Sequence, residues 1–337
     1  MSLGRVALFV VVAVALAVAT VNDCAAQRVA VTFFNVENLF DVENDPATAD
    51  EDMLPLSDRA WTVERYEAKL AGLARTIVDL AEDGELPTIV GLAEVENQRV
   101  IDDLLSQDAL QGAAYEVCHF DSDDARGIDV ALLYRSDLFS CEGCRVVKMR
   151  VDDAPNLRTR DMLMVWGSLG ERRVAFCVVH WPSRIGGSQQ TEHLRMGCAE
   201  CVRQSVDSLM SANPDLGVVV MGDMNDNPTD KSIRKVLGAR RAGRRVESAR
   251  LYTLHRGRKG GTSVYDGRWN RYDNILLSGN LLHSAEGDVR ARQSYCVEPL
   301  RKAYLLDEKG HPRPTYRGSD YEGGVSDHLP IKVVIYY

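Results

Sequence analysis

From residue 28 onward, short apolar runs alternate with polar loops, and the period of each run separates strand from helix. Val29, Val31 and Phe33 alternate with smaller or polar neighbours, which predicts an opening strand. An acidic loop follows over residues 41–58. In residues 63–80, Leu70, Leu73, Ile77 and Leu80 fall at helical spacing, and residues 189–210 read as a second helix. Continuous apolar runs at 88–93, 128–134, 162–166, 174–179, 216–221 and 331–336 predict buried strands. Segments 161–167 and 173–179 are joined by a tight turn at Gly170, so that pair is antiparallel. Strands outnumber long helices, and the pattern predicts a two-sheet sandwich flanked by helices.

The first residues depart from this pattern. Arg5 precedes an unbroken apolar run from Val6 to Val21, followed by Cys24-Ala25-Ala26. That is the layout of a signal peptide over residues 1–26, cleaved before Gln27. The run is shorter than the roughly 20 residues a spanning helix needs, and Val21-Asn22-Asp23 suit a lipobox poorly. The mature protein, residues 27–337, is expected to be exported to the periplasm or beyond, without stable membrane insertion. No linker or repeat divides it, so one catalytic domain acting as a monomer is expected. Removing Cys24 leaves seven cysteines, an odd number that cannot all pair within one chain. Two C-x-x-C spacings, Cys141/Cys144 and Cys198/Cys201, raise the question of zinc or of a local disulfide at the first pair.

Polar clusters sit at the ends of the apolar runs, where loops carry function on a rigid frame. They contain Asn35, Glu94, His180, Asp223 with Asn225, Asp273, and Asp327 with His328. Any one of them alone would read as a turn or a cap. Together they supply what phosphoester hydrolysis requires. Carboxylates such as Glu94 and Asp327 suit a hard divalent cation. Asp223 suits a water-positioning or basic role. An imidazole held by a carboxylate, His328 with Asp273, suits charge stabilisation at the phosphate. Each motif is expected at the C-terminal end of a strand.

This ordered set resembles the endonuclease/exonuclease/phosphatase superfamily, whose members include pancreatic deoxyribonuclease, and it spans about residues 29–337. Phrases such as Trp181-Pro182-Ser183-Arg184 and Gly222-Asp223-Met224-Asn225-Asp226-Asn227-Pro228 resemble a bacterial exported branch. The resemblance implies an α/β (α+β) fold, a four-layer α/β/β/α sandwich of two mixed, mainly antiparallel sheets. It implies Mg²⁺ as cofactor, with Mn²⁺ as an alternative, held or oriented by Asn35, Glu94 and Asp327. Asp223 and Asn225 would position the attacking water and the phosphate. His328, paired with Asp273, and His180 would contact phosphoryl oxygens or the leaving group. Arg160 matches the phosphate-binding arginine, with Arg158 as its rival, and Asp129 is placed as the carboxylate partner of His180.

Charge bears on the substrate. A net charge of −9 opposes nonspecific binding of long nucleic acid over the whole surface. Residues 231–271, however, carry 13 Lys and Arg against two acids, a local excess that offers either a solvated basic loop or a landing strip for a polyanion. The acidic stretch 41–58 would repel a duplex if it flanked the site. The expected function is therefore a phosphodiesterase or endonuclease. Competing readings are a phosphatase or phospholipase C-like enzyme acting on lipid headgroups, inositol phosphates or nucleotides, and a non-catalytic binder of phosphoryl ligands.

Overall fold

The structure, a computed structural model, describes residues 28–243, 245–255, 260–265, 267–283 and 296–336. The leader read at residues 1–26 and the basic residues Arg244, Arg256, Arg258 and Lys259 lie outside them. In chain order the strands are Arg28–Leu39 (β1), Ile89–Val95 (β2), Tyr115–His119 (β3), Asp129–Arg135 (β4), Phe139–Val147 (β5), Met162–Leu169 (β6), Arg172–His180 (β7) and Gly217–Asp223 (β8). They continue with Arg240–Arg241 (β9), Leu251–Thr253 (β10), Ser263–Tyr265 (β11), Arg268–Asn270 (β12), Asp273–Ser278 (β13), Glu298–Pro299 (β14), Tyr316–Arg317 (β15), Asp320–Tyr321 (β16) and Ile331–Tyr336 (β17). The helices are Val63–Asp79 (α1), Gln98–Leu105 (α2), Glu192–Ala212 (α3) and Gly279–His283 (α4).

One sheet has the order β14-β17-β1-β2-β4-β3 and the other β5-β6-β7-β8-β13-β10-β9. Pairing is mainly antiparallel, with β1/β2, β7/β8 and β9/β10 parallel. Strand alternation explains the layering. Val29, Val31 and Phe33 of β1 meet Phe176, Val219 and Ile275 in the core between the sheets. Phe34 and Val36 of β1 point the other way, against Leu70, Leu73 and Ile77 of α1. On the second sheet Val218 and Val220 pack outward on Cys198, Val202 and Val206 of α3. Three apolar layers thus separate four structural layers, the α/β/β/α sandwich expected. Both faces of the central strands are buried, which is why they read as unbroken apolar runs. The turn at Gly170 joins β6 and β7, with Leu169 opposite Arg172. No helix among the described residues is long and apolar enough to cross a membrane. Cys118, Cys141, Cys144, Cys177, Cys198 and Cys201 are free thiols, and Cys198 is buried in the α3 core.

Candidate active site

The site lies at one rim of the sandwich, in the mouth between the two sheets. His180 and Asp223 end the parallel strands β7 and β8 and face each other in register. Asp273 opens β13, which runs antiparallel to β8, and so pairs with Asp223 from the opposite direction. In the other sheet Asn35 lies opposite Ala93, beside Glu94, and Phe33 pairs with Ile331, which sets Asp327 and His328 near the end of β1. The expectation of C-terminal strand ends therefore holds for only part of the set. Asp273, Asp327 and His328 precede their strands, and antiparallel neighbours bring those starts to the rim where β1, β2, β7 and β8 end.

Asp223 is the centre. Asn35 Nδ2 donates to its Oδ2 at 3.0 Å and to Glu94 Oε1 at 3.3 Å, clamping two carboxylates from different sheets. The same Asp223 oxygen lies 3.8 Å from Nε2 of both His180 and His328, and His180 Nε2 is 3.7 Å from Glu94. His328 Nδ1 is 2.7 Å from Asp273 Oδ2, the pairing expected. Asn225 has its own amide on Asp223 Oδ1 and its side-chain Nδ2 on the Trp181 carbonyl. Local backbone strain concentrates here. Of the seven non-glycine residues with positive φ among the described residues, Glu37, Asn38, Glu94 and Asn225 are in or beside the site. At Glu94 the pairing shifts register between Ala93 and Val95, a bulge that turns the carboxylate off the helix-facing side of β2.

The electrostatics separate the two imidazoles. Burial, with the nearby Arg160 and Arg126, drives His180 well below the usual histidine value, so it is neutral. Burial opposes charge on His328 as well, but Asp273, Asp223 and Asp327 together outweigh it and hold it well above that value. Asp223 is pushed up to about 6 by burial and by Asp273, against the pull of His328. These environments produce a neutral imidazole, a cationic one and a carboxylate that titrates near neutrality.

Glu94 and Asp327 are the fitting pair for a divalent cation. Asp327 is densely surrounded by protein but opens onto the cleft, and burial, helped by Glu94, raises it. Two such carboxylates converging on one cleft are an oxygen donor set for a hard cation. Asn35, expected to hold or orient the metal, bonds the groups around it: its Oδ1 accepts the Glu37 amide while its Nδ2 bridges Glu94 and Asp223. Asp223, Asp273 and His328 also cluster tightly, but the His328–Asp273 hydrogen bond uses that geometry without an ion.

Arg160 is buried, donates to Asp124 at 2.9 Å and to the Trp181 carbonyl at 2.7 Å, and lines the cleft. Arg158 lines it too, with Nε on the Asp123 carbonyl. One carbonyl, that of Trp181, thus fixes both Arg160 and Asn225 directly after His180. Asp129 does not orient His180, contrary to expectation. Its neighbours Val130 and Leu132 face the inter-sheet core, so Asp129 points outward with Ala131 and Leu133. His180, in phase with Phe176 and Val178, points into the mouth. Asp129 instead accepts the Ser122 amide at 3.0 Å, and His180 Nδ1 is buried without a partner.

Sequence reasoning overlooked the support beneath the site. Glu37 accepts the amides of Thr315 and Asp327 on one oxygen, and burial and Asp327 push it up to about 7. Lys69, fully enclosed, donates to Thr315 Oγ1 and the Val325 carbonyl. Ser326 Oγ donates to the Asn35 carbonyl. The available signal was Lys69 itself, a charge on the apolar stripe of α1 beside Leu70 and Leu73. The rims and these supports enclose a cleft of about 680 Å³.

A model described as the Endonuclease/Exonuclease/phosphatase family matches residues 30–336. The chain belongs to this family. It is accordingly a phosphoester hydrolase with acidic and imidazole groups able to hold a metal. Solved structures repeat the fold. Truncated TDP2 of Caenorhabditis elegans is 16% identical, covers 92% of this chain and 98% of its own, and superposes with a TM-score of 0.57. TDP2 of D. rerio complexed with single strand DNA product is 16% identical, at 92% and 99% coverage and a TM-score of 0.53. The mannosyl-6-phosphatase Bt3783 of Bacteroides thetaiotaomicron is 17% identical, at 92% and 100% coverage and a TM-score of 0.54. Comparison with curated proteins finds no match.

Proposed function

We propose that this member of the family is an exported, Mg²⁺-dependent phosphodiesterase that cleaves single-stranded nucleic acid. The reading rests on one observation: the cleft is lined by Arg59, Arg126, Arg158, Arg160 and Arg184 around the Asp223 centre, more cationic contacts than a single phosphate needs. Among the described residues of the basic segment 231–271, some of the charge is paired and part of the chain lines the cleft. Lys231 pairs with Glu192 and Arg250 with Glu247, while the residues it sends into the cleft are Ser263, Val264 and Tyr265. Tyr265 is exposed there and offers a face on which a base can stack. The acidic stretch turns part of its charge inward: Asp41, Asp45 and Asp50 accept backbone amides of the same loop, and Met53 is what it shows the cleft, with Arg59 just beyond its end.

Glu94 and Asp327 would hold the divalent cation, which would supply charge neutralisation at the phosphate. Asp223 accepts the proton of a water held between it and Asn225. Protonated His328, fixed by Asp273, donates to the developing charge, and Arg160 orients a non-bridging oxygen. The resemblance to a mannosyl-6-phosphatase supports a phosphomonoester as the second reading.

The test incubates the protein with single-stranded DNA, RNA, plasmid and a panel of sugar and aryl phosphates, in Mg²⁺ or Mn²⁺ and then in EDTA. Metal-dependent cleavage of single strands is expected. Turnover of monoesters alone would overturn the diesterase reading, and no turnover in any arm would favour the non-catalytic binder. Export is checked by N-terminal sequencing of the protein recovered outside the cytoplasm, with Gln27 as the expected start.

A further inference from the structure

We propose that His119, Asp121 and Asp129 form a second cation site, taking a divalent transition metal such as Zn²⁺, that anchors the loop behind Arg160. Alternation along the edge strands builds it. His119 pairs with Ala131, two residues beyond Asp129, and both side chains occupy the outward face of the first sheet, a diagonal contact between β3 and β4. Asp121 follows two residues after His119. One ligand atom from each of the three lies within 4.8 Å of the other two.

Two acids on a surface would mean little, but the imidazole between them is unusual. Its side chain is only 3% exposed, and neither ring nitrogen makes a hydrogen bond: Nδ1 stands 4.0 Å from Asp121 Oδ1, and Nε2 is buried without a partner. A buried polar group left in that state costs roughly 1–3 kcal/mol, and coordination through Nδ1, the nitrogen that faces Asp121, would offset that cost for this atom. Burial also holds His119 below the ordinary histidine value, so it presents the neutral ring that a metal requires. Ser122 holds Asp129 in place, its amide donating to Oδ1 at 3.0 Å and its side chain adding a second bond. One nitrogen and two carboxylates suit Zn²⁺ better than Mg²⁺ or Ca²⁺, which take all-oxygen shells. This donor set is distinct from the Glu94–Asp327 pair in the cleft.

The consequence for the site is positional. Asp121 and Asp129 close the two ends of one loop, and within it Asp124 receives Arg160 at 2.9 Å while Arg126 lines the cleft. An ion joining those ends fixes the carboxylate against which Arg160 is set.

Calorimetric titration of Zn²⁺ into EDTA-stripped, dialysed protein at saturating Mg²⁺ tests this, with Glu94→Gln titrated in parallel. One Zn²⁺ site is expected in both proteins. H119Q should weaken it by more than about 100-fold, and D121N by about tenfold or more, since even outer-shell losses cost 10–100-fold. Asp121 is 84% exposed at its side chain, so D121N keeps the test valid if H119Q fails to fold. Wild-type affinity in D121N and in a folded H119Q, absence of Zn²⁺ binding, or binding that vanishes in Glu94→Gln would each overturn the proposal.

Discussion

Asp223 and His328 set opposite pH requirements on the same centre. In the proposed mechanism Asp223 acts as base only when ionised, and its value is raised to about 6, so the rate should climb as pH rises through that region. His328 acts only when protonated, and its value is held well above the ordinary one, so loss of activity belongs to the alkaline side. A bell-shaped profile of kcat/KM is expected, rising roughly tenfold per pH unit below pH 6. Asp273→Asn removes one of the three carboxylates that keep His328 charged. It should move the alkaline limb to lower pH and reduce kcat on the order of 100-fold; an unmoved limb would show that the pair does not govern His328. Lys69 tests the layer beneath. It is enclosed among groups that include Glu37 and Asp327, and Lys69→Met leaves those carboxylates without their buried counter-charge. A loss of about 3 kcal/mol in urea unfolding is expected. The residues above this layer were legible because each is a polar group that interrupts an apolar run. Lys69 and Glu37 act through backbone amides and a helix at a distance of over 200 positions, which local spacing does not encode.

At the scale of elements, the long apolar runs were legible and the short edges were not. β1, β2, β7, β8, α1 and α3 carry strong periodicity because they are packed on two faces or along one wide stripe. α2, β3 and β5 escaped detection: β3 and β5 are edge strands whose mixed burial dilutes the alternation. That omission explains the misassignment of Asp129, whose direction depends on its register in β4 beside the undetected β3. The seam between β7 and β8 shows how closely the site depends on such register. A Cβ at Gly222 would lie 2.0 Å from the Val179 carbonyl oxygen, in the strand pair that sets His180 against Asp223. Gly222→Ala should therefore cost about 3 kcal/mol of stability. It should also lower kcat by more than Gly243→Ala, a loop position with open space around it and no left-handed backbone. Equal effects of the two substitutions would separate the seam from the chemistry.

On the scale of the whole molecule, the site is a joint between two sheets. Glu94, Asn35, Asp327 and His328 come from the first sheet, and His180, Asp223 and Asp273 from the second. Contact across the mouth is largely polar: Asn35 on Asp223, His180 facing Glu94, and His328 on Asp273. Burial raises Asp327, and the like charges of Glu94 and Asp223 converging there add to it against the pull of His328 and Lys69. A cation together with a phosphate-bearing ligand would satisfy both sides at once, so binding and sheet docking are linked. Mg²⁺ with inorganic phosphate at 100 times its dissociation constant should stabilise the folded chain by about 2.7 kcal/mol. For a domain of this size that corresponds to a rise in Tm of roughly 4 °C. Glu94→Gln, on the first sheet, and Asp223→Asn, on the second, should each abolish the rise while leaving the far end of the sandwich intact. Were Glu94→Gln alone to abolish it, the ligand would be held by one rim, and the coupling of the two sheets through the site would be lost as an explanation.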